Sequence, residues 1–247
     1  MLAIAEFERQ NDIPRGYINF AIQASSPNGA WQLLERGEIA LDDGFFAGFA
    51  RDIGNPGHWR AFYEAKQAEA AVPPPPPPPP RVDGERLFWD MMEKGSQVDA
   101  TMMGAVARLR AAGRDRGWKV GALTNDYKYP DGHALQRSKQ ELLAAFDVWI
   151  GSSECGMRKP EERVYRHAMR EAGVVDGRSV VFCDDIGANL KAAARLGWRC
   201  VKVEIGGGEN AVRELEGLTG VSLLPEPQDD EEGGTNSSSS SNSRSRL

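Results

Sequence analysis

Three groups of polar residues in this chain have the types and spacing to do chemistry together. Asp184 and Asp185 follow the apolar run Val180-Val181-Phe182-Cys183 and precede Leu190, Ala193, Ala194 and Leu196 at helical spacing. Adjacent carboxylates repel each other and resist desolvation, and a hard cation such as Mg²⁺ stabilises them directly. A solvated Asp-Asp turn that caps the helix is the other reading. Thr124 and Asn125 follow the run Lys119 to Leu123, which places a hydroxyl and nearby backbone N–H groups at a strand end. Arg158-Lys159-Pro160 comes just before a helical pattern, where the helix dipole disfavours a cation unless an anion compensates. Hydroxyl, ammonium and carboxylate pair at successive strand ends make a site for a phosphate and its cation. Taken singly, Thr124 also reads as a strand-end N-cap and Lys159 as a solvated surface residue.

The elements that would position these groups alternate. Helical periodicity covers Ala100 to Ala112, His133 to Phe146, Pro160 to Ala172, Gly187 to Leu196 and Glu209 to Thr219. Strand-like runs cover Lys119 to Leu123, Val148 to Ile150, Val180 to Cys183 and Arg199 to Val203, the third of them expected to be buried on both faces. Strands spaced by helices predict a parallel α/β sheet, and ligands bind such sheets at the carboxyl ends of the strands.

Upstream, residues 1 to 71 read as helical, with segments near Ile4 to Asn11, Tyr17 to Ala24, Ala30 to Arg36 and Leu41 to Ile53. Phe45, Phe46, Phe49 and Ile53 form an apolar stripe that reads as core. Asp42-Asp43-Gly44 and Asp83-Gly84 follow no apolar run and read as turns. Pro73 to Pro80 is an unbroken proline tract, predicting an extended spacer of about 25 Å at ~3.1 Å per residue, with docking of an SH3 or WW domain as its functional alternative. From Glu226 the chain is acidic and Ser-rich with almost no apolar residue, so 226–247 is expected to be a disordered tail.

Composition narrows the class of partner. A chain of 247 residues, 40% hydrophobic, can bury a substantial core, and its net charge of −6 argues against nucleic acid or an anionic membrane as the main partner. Cys155, Cys183 and Cys200 form neither an even set nor a CxxC pair, so a disulfide framework is not expected and a reducing compartment is. The amino terminus lacks the apolar stretch of a signal peptide, and no run approaches the ~20 residues of a membrane span. The expectation is a soluble cytoplasmic protein.

Leu123-Thr124-Asn125, Arg158-Lys159-Pro160 and VVFCDDIGANLKAA from Val180 resemble the second, third and fourth motifs of the haloacid dehalogenase (HAD) hydrolase superfamily. IPRGYINFAI from Ile13, GAWQLLERGEIAL from Gly29 and FFAGFARDI from Phe45 resemble the helical cap of one branch of that family, which contains the phosphatase-like domain of epoxide hydrolases and the HAD-like domain of an acyl-CoA dehydrogenase family. The resemblance implies a three-layer Rossmann-like core over 96–225 with a helical cap over 1–95. It implies Mg²⁺-dependent phosphoryl transfer on a small phosphorylated molecule through an aspartyl-phosphate. Thr124 and Asn125 would hold the phosphoryl oxygens, Lys159 would neutralise charge, Asp184 and Asp185 would bind Mg²⁺, and Asn189 would orient the loop. The Asp pair favours a phosphatase over a 2-haloacid dehalogenase, whose chemistry in this family uses no metal. The family's first motif, a nucleophilic Asp after an apolar strand upstream of the cap, has no counterpart here. The chain is therefore expected to lack the central strand of its sheet and to be inactive as written, leaving a non-catalytic binding or scaffold role as the alternative.

Overall fold

The computed structural model describes residues 2–67 and 77–225. Six helices come first: α1 (Leu2–Gln10), α2 (Tyr17–Ala24), α3 (Ala30–Glu35), α4 (Asp43–Ile53), α5 (Pro56–Gln67) and α6 (Gly84–Gly95). The alternating part follows, with α7 (Ala100–Gly113), β1 (Gly121–Thr124), α8 (Ala134–Leu143), β2 (Val148–Gly151), the single turn α9 (Ser152–Cys155), α10 (Glu162–Ala172), β3 (Val181–Asp184), α11 (Gly187–Arg195), β4 (Arg199–Lys202) and α12 (Gly208–Thr219).

Local chemistry sets the helix boundaries. Asp42 and Asp83, expected to lie in turns, are N-caps: their carboxylates accept from Phe45 N at 3.1 Å and Arg86 N at 3.0 Å, satisfying amide donors that the first turn of a helix leaves open. The amino terminus of α2 is capped from another helix. Glu8 of α1, 2% exposed, accepts from Gly16 N at 2.8 Å and Ile18 N at 2.9 Å, placing a carboxylate where the α2 dipole is positive. α10 starts at Glu162 and not at the expected Pro160, because Arg158 to Pro160 are held in an irregular loop by contacts described below. Neither α5 nor α6 stands out in the sequence; in α6 the buried pair Leu87 and Phe88 is neighboured by charged residues, which masks the periodicity.

The helices from α1 to α6 enclose one aromatic core. Phe45 and Phe49 stack at 5.6 Å, as the stripe on α4 predicts, and Phe88 meets Phe45, Trp31 and Tyr127 at ring-centroid distances of 5.3, 6.0 and 5.6 Å. Tyr127, from the loop after β1, ties this core to the sheet side. Pro77 begins the described part of the proline tract against the same core, where its carbonyl accepts the Trp59 indole N–H at 2.5 Å. Pro73 to Pro76 and residues 226–247 lie outside the described residues, and with them the first half of the expected spacer, with its SH3 or WW alternative, and the expected disordered tail.

Strands β1 and β2 pair in parallel, with Thr124 opposite Gly151, and β3 and β4 pair in parallel, with Asp184 opposite Lys202. Among the described residues the two pairs form separate sheets, and β1 is not joined to β3. The β3–β4 pair is the middle of three layers: Phe182 and Cys200 pack with Tyr165, Ala193 and Trp198, while Cys183 and Val201 pack with Ala105, Val212 and Leu215 of α7 and α12. The expectation that Val180 to Cys183 is buried throughout is corrected at Val181, which is 37% exposed. The physical reason is that among the described residues β3 pairs with β4 alone, which leaves its other edge uncovered by them. No helix among the described residues is long and apolar enough to cross a membrane.

Candidate functional site

Asp184 closes β3, and its backbone is fixed by pairing with β4. Its carboxylate is engaged on both oxygens. Oδ1 accepts from Ile186 N at 2.8 Å and from Asn189 Nδ2 at 3.0 Å; Oδ2 meets Lys159 Nζ at 2.7 Å. The Ile186 contact is a local turn of the kind Asp often forms, but Asp184 is buried and Ile186 is the N-cap of α11 without a side-chain cap bond, so the solvated, helix-capping reading of this Asp is corrected. Asn189, 3% exposed, ties Asp184 to the first turn of α11 through its side-chain amide. Asp185 points into solvent.

Lys159 comes from a different part of the chain and is held by its backbone. Asn125 clamps it at two points, with Oδ1 accepting Lys159 N at 2.8 Å and Nδ2 donating to Lys159 O at 3.0 Å. An amide side chain carries one donor and one acceptor side, which is what a two-point grip on a backbone unit requires. The ammonium lies 5.5 Å from the centre of the Phe182 ring, and its side chain is 12% exposed against 4% for Asp184, so solvent weakens this ion pair little. Thr124 ends β1 beside Asn125, its hydroxyl donating at 3.3 Å to the Asn125 carbonyl. Asn125, Lys159, Asp184 and Asn189 thus form one connected set, with Thr124 at its edge and Asp185 exposed beside it.

Whether these residues fit Mg²⁺ is decided by the donors. Among the described residues no group of three or more His, Cys, Asp or Glu side chains is placed to hold a metal. A closed protein cage is therefore absent from them. Mg²⁺ is commonly bound through one or two carboxylates with water and phosphate oxygens as its other ligands; the two carboxylates at this strand end are the exposed Asp185 and Asp184, whose Oδ2 is paired with Lys159.

Some residues that shape the site have no signature in the sequence. Asp126, 9% exposed, follows Asn125 and locks the loop after β1: Oδ1 accepts from Ser153 N at 2.9 Å and Ser153 Oγ at 2.8 Å, and Oδ2 lies 2.6 Å from Lys139 Nζ. Glu35 of α3, 4% exposed, is ion-paired with Arg158. Burial pushes the Glu35 carboxyl above its ordinary pKa, and Arg158 opposes the shift. These partners lie too far apart in sequence for spacing to show them. A cavity of about 500 Å³ between α3 and α4, lined by Leu33, Phe45, Arg51 and Asp52 among others, contains none of the site residues.

The chain is 27% identical over 227 residues to bifunctional epoxide hydrolase 2 of Sus scrofa, covering 90% of this chain and 36% of that protein. It is 27% identical over 217 residues to acyl-CoA dehydrogenase family member 10 of Mus musculus, covering 88% of this chain and 17% of that one. It thus spans well under half the length of either relative. Among solved structures, a HAD family enzyme from Bacteroides thetaiotaomicron in complex with magnesium and inorganic phosphate superposes with a TM-score of 0.44 at 16% identity, over 78% of this chain and 87% of that one. The magnesium and the phosphate are those of that enzyme. A family model described as haloacid dehalogenase-like hydrolase matches residues 4–197, a span that takes in the aromatic helical core, the Asn125–Lys159 clamp and the Asp184 loop. The chain belongs to the haloacid dehalogenase-like hydrolase family.

Proposed function

We propose that Thr124, Asn125, Lys159, Asp184 and Asp185 form the phosphate-and-magnesium site of a phosphoryl-transfer hydrolase, and that this chain binds its phosphorylated ligand without turning it over. The contact that carries this reading is Lys159 Nζ to Asp184 Oδ2 at 2.7 Å, which joins the ends of two sequence segments at one strand terminus. An ammonium held there by its own backbone neutralises a phosphoryl oxygen at little cost in reorganisation. The Thr124 hydroxyl supplies a neutral hydrogen bond to a remaining oxygen, while Asn125, whose side chain grips the Lys159 backbone at both ends, serves the phosphate by holding the ammonium in place. Mg²⁺, when bound by Asp184 and Asp185, adds charge neutralisation to the phosphate. The proposed division of the chain is a cap over 1–95 and a core over 96–225, with the site on the core.

The absence of turnover rests on how the candidate acids are used. Asp42 and Asp83 cap helices, and Asp126 is taken by Ser153 and Lys139. None is free to serve as a nucleophile. Calorimetry with Mg²⁺ and inorganic phosphate on the parent and Asp184→Asn tests the site, and hydrolysis of p-nitrophenyl phosphate tests the chemistry. Mg²⁺ binding is expected to weaken in Asp184→Asn, and hydrolysis to stay at the buffer rate. Equal Mg²⁺ affinity in both proteins removes the metal assignment; turnover above buffer removes the claim that the chain only binds.

A further inference from the structure

The segment that carries Lys159 is gripped from the helical side by two consecutive residues of opposite charge. Glu35, the last residue of α3, pairs with Arg158, the residue immediately before Lys159. Arg36, 7% exposed, lies 3.6 Å from Glu161, two residues after Lys159, and also donates to the Pro27 carbonyl at 3.0 Å and meets Glu38 at 2.5 Å. The polarity alternates across the contact: Glu35 faces Arg158 and Arg36 faces Glu161. Lys159 lies between the two anchored residues, with Asn125 gripping its backbone from the sheet side. The approach is close. Gly37, which follows the pair with φ +66°, comes so near α9 that a Cβ built on it would lie 2.3 Å from the Ser153 carbonyl oxygen.

We propose that Glu35, assisted by Arg36, is a positioning residue that holds the Arg158–Glu161 segment so that the Lys159 ammonium reaches Asp184. The inference rests on the phosphate-site reading above for its ligand, but the grip itself does not depend on that reading. Its logic is electrostatic. A carboxylate as buried as Glu35 keeps its charge at a desolvation cost, so the pair with Arg158 is a weak source of stability. A directional link across the interface accounts for such a pair better than stability does. Without the charge on Glu35, Arg158 has no fixed partner on α3, and the following residue loses one of its restraints. Asn125 and the longer Arg36–Glu161 contact then set the height of Lys159 above Asp184.

The test uses the whole chain with Glu35→Gln, Glu35→Asp and Lys159→Ala, inorganic phosphate as the probe, and amide exchange of the peptide spanning 157–162. Glu35→Gln is expected to unfold cooperatively, to bind phosphate roughly tenfold more weakly, as small displacements of a positioned group do, and to exchange faster at 157–162 while α1 and α2 keep their protection. Glu35→Asp, which retains the charge, is expected to recover most of the affinity. Lys159→Ala separates this idea from the functional reading. If the parent binds phosphate no better than Lys159→Ala, the phosphate site is wrong, and the exchange of 157–162 in Glu35→Gln still decides the grip. Unchanged exchange there overturns the proposal, as does a loss of protection spread evenly over the chain. Should Glu35→Gln fail to fold, Glu35→Asp is read in its place: loosening confined to 157–162 supports the grip, and parent-like or chain-wide exchange overturns it.

Discussion

The helical half and the sheet half of this molecule are stabilised in different ways. From α1 to α6 each helix satisfies most of its own backbone and adds only side chains to a shared aromatic core, in which Tyr17, Phe45, Phe49 and Phe88 are at most 1% exposed. The sheet half needs partners for its backbone, and its two parallel pairs each keep an unpaired edge among the described residues. Helices can therefore form a closed core without a neighbour from elsewhere, whereas strands cannot close their ladders alone. The candidate site lies on the less closed half and is steadied from the more closed one through Glu35 and Arg36.

This contrast can be broken most sharply at the two cores. Phe88→Ala is expected to cost about 4 kcal/mol, since a buried aromatic leaves a cavity that rigid neighbours cannot fill. Ile150→Ala on β2 is expected to cost about 2 kcal/mol, because a sheet with an open edge relaxes into the space more readily. Urea unfolding of both variants checks the order, and an equal or reversed cost removes the claim that the helical core is the tighter of the two. The caps come next. Asp83→Ala is expected to cost about 1 kcal/mol and to leave phosphate binding unchanged, since Asp83 caps α6 and takes no part in the site. A loss of binding in that variant would reopen Asp83 as a chemical residue.

The smallest expected effect is a pH dependence at the junction of the halves. Burial raises the Glu35 pKa from its ordinary 4.5, so the folded protein binds this proton more tightly than the unfolded chain does. Glu35 thus contributes stability that is present in full below 4.5 and is lost as pH rises through its higher folded value. Urea unfolding of the parent and Glu35→Gln from pH 4 to 7.5 should show the parent losing stability relative to the variant across that window. A parent that instead gains on the variant as pH rises would mean that attraction to Arg158 outweighs burial.

The sequence carries the order of elements well and their partners poorly. Tyr17–Ala24 and the stripe on α4 are legible because each lies within one helix and repeats every three or four residues. Asp184 is legible because it stands at the end of a strand, where a parallel sheet gathers its ligands, and Lys159 because a cation just before a helix start calls for a compensating anion. Glu35 is not: nothing within α3 distinguishes a carboxylate that meets Arg158 from one that meets water, since the partner is set by how α3 packs on the loop before α10. Asp42 and Asp83 were misread as turns for a related reason. A helix start and a turn share the same short polar residues, and the first amides of α4 and α6 decide between them.

Lys159, from the loop before α10, and Asp184, from the end of β3, meet and are coupled as one unit. A double-mutant cycle with Lys159→Met, Asp184→Asn and the double variant, read as unfolding free energy in urea, measures that coupling. A favourable interaction of about 1–3 kcal/mol between the two is the predicted result, as expected for residues in contact. Additivity within about 0.5 kcal/mol would contradict it, because sites with no shared partner give that outcome.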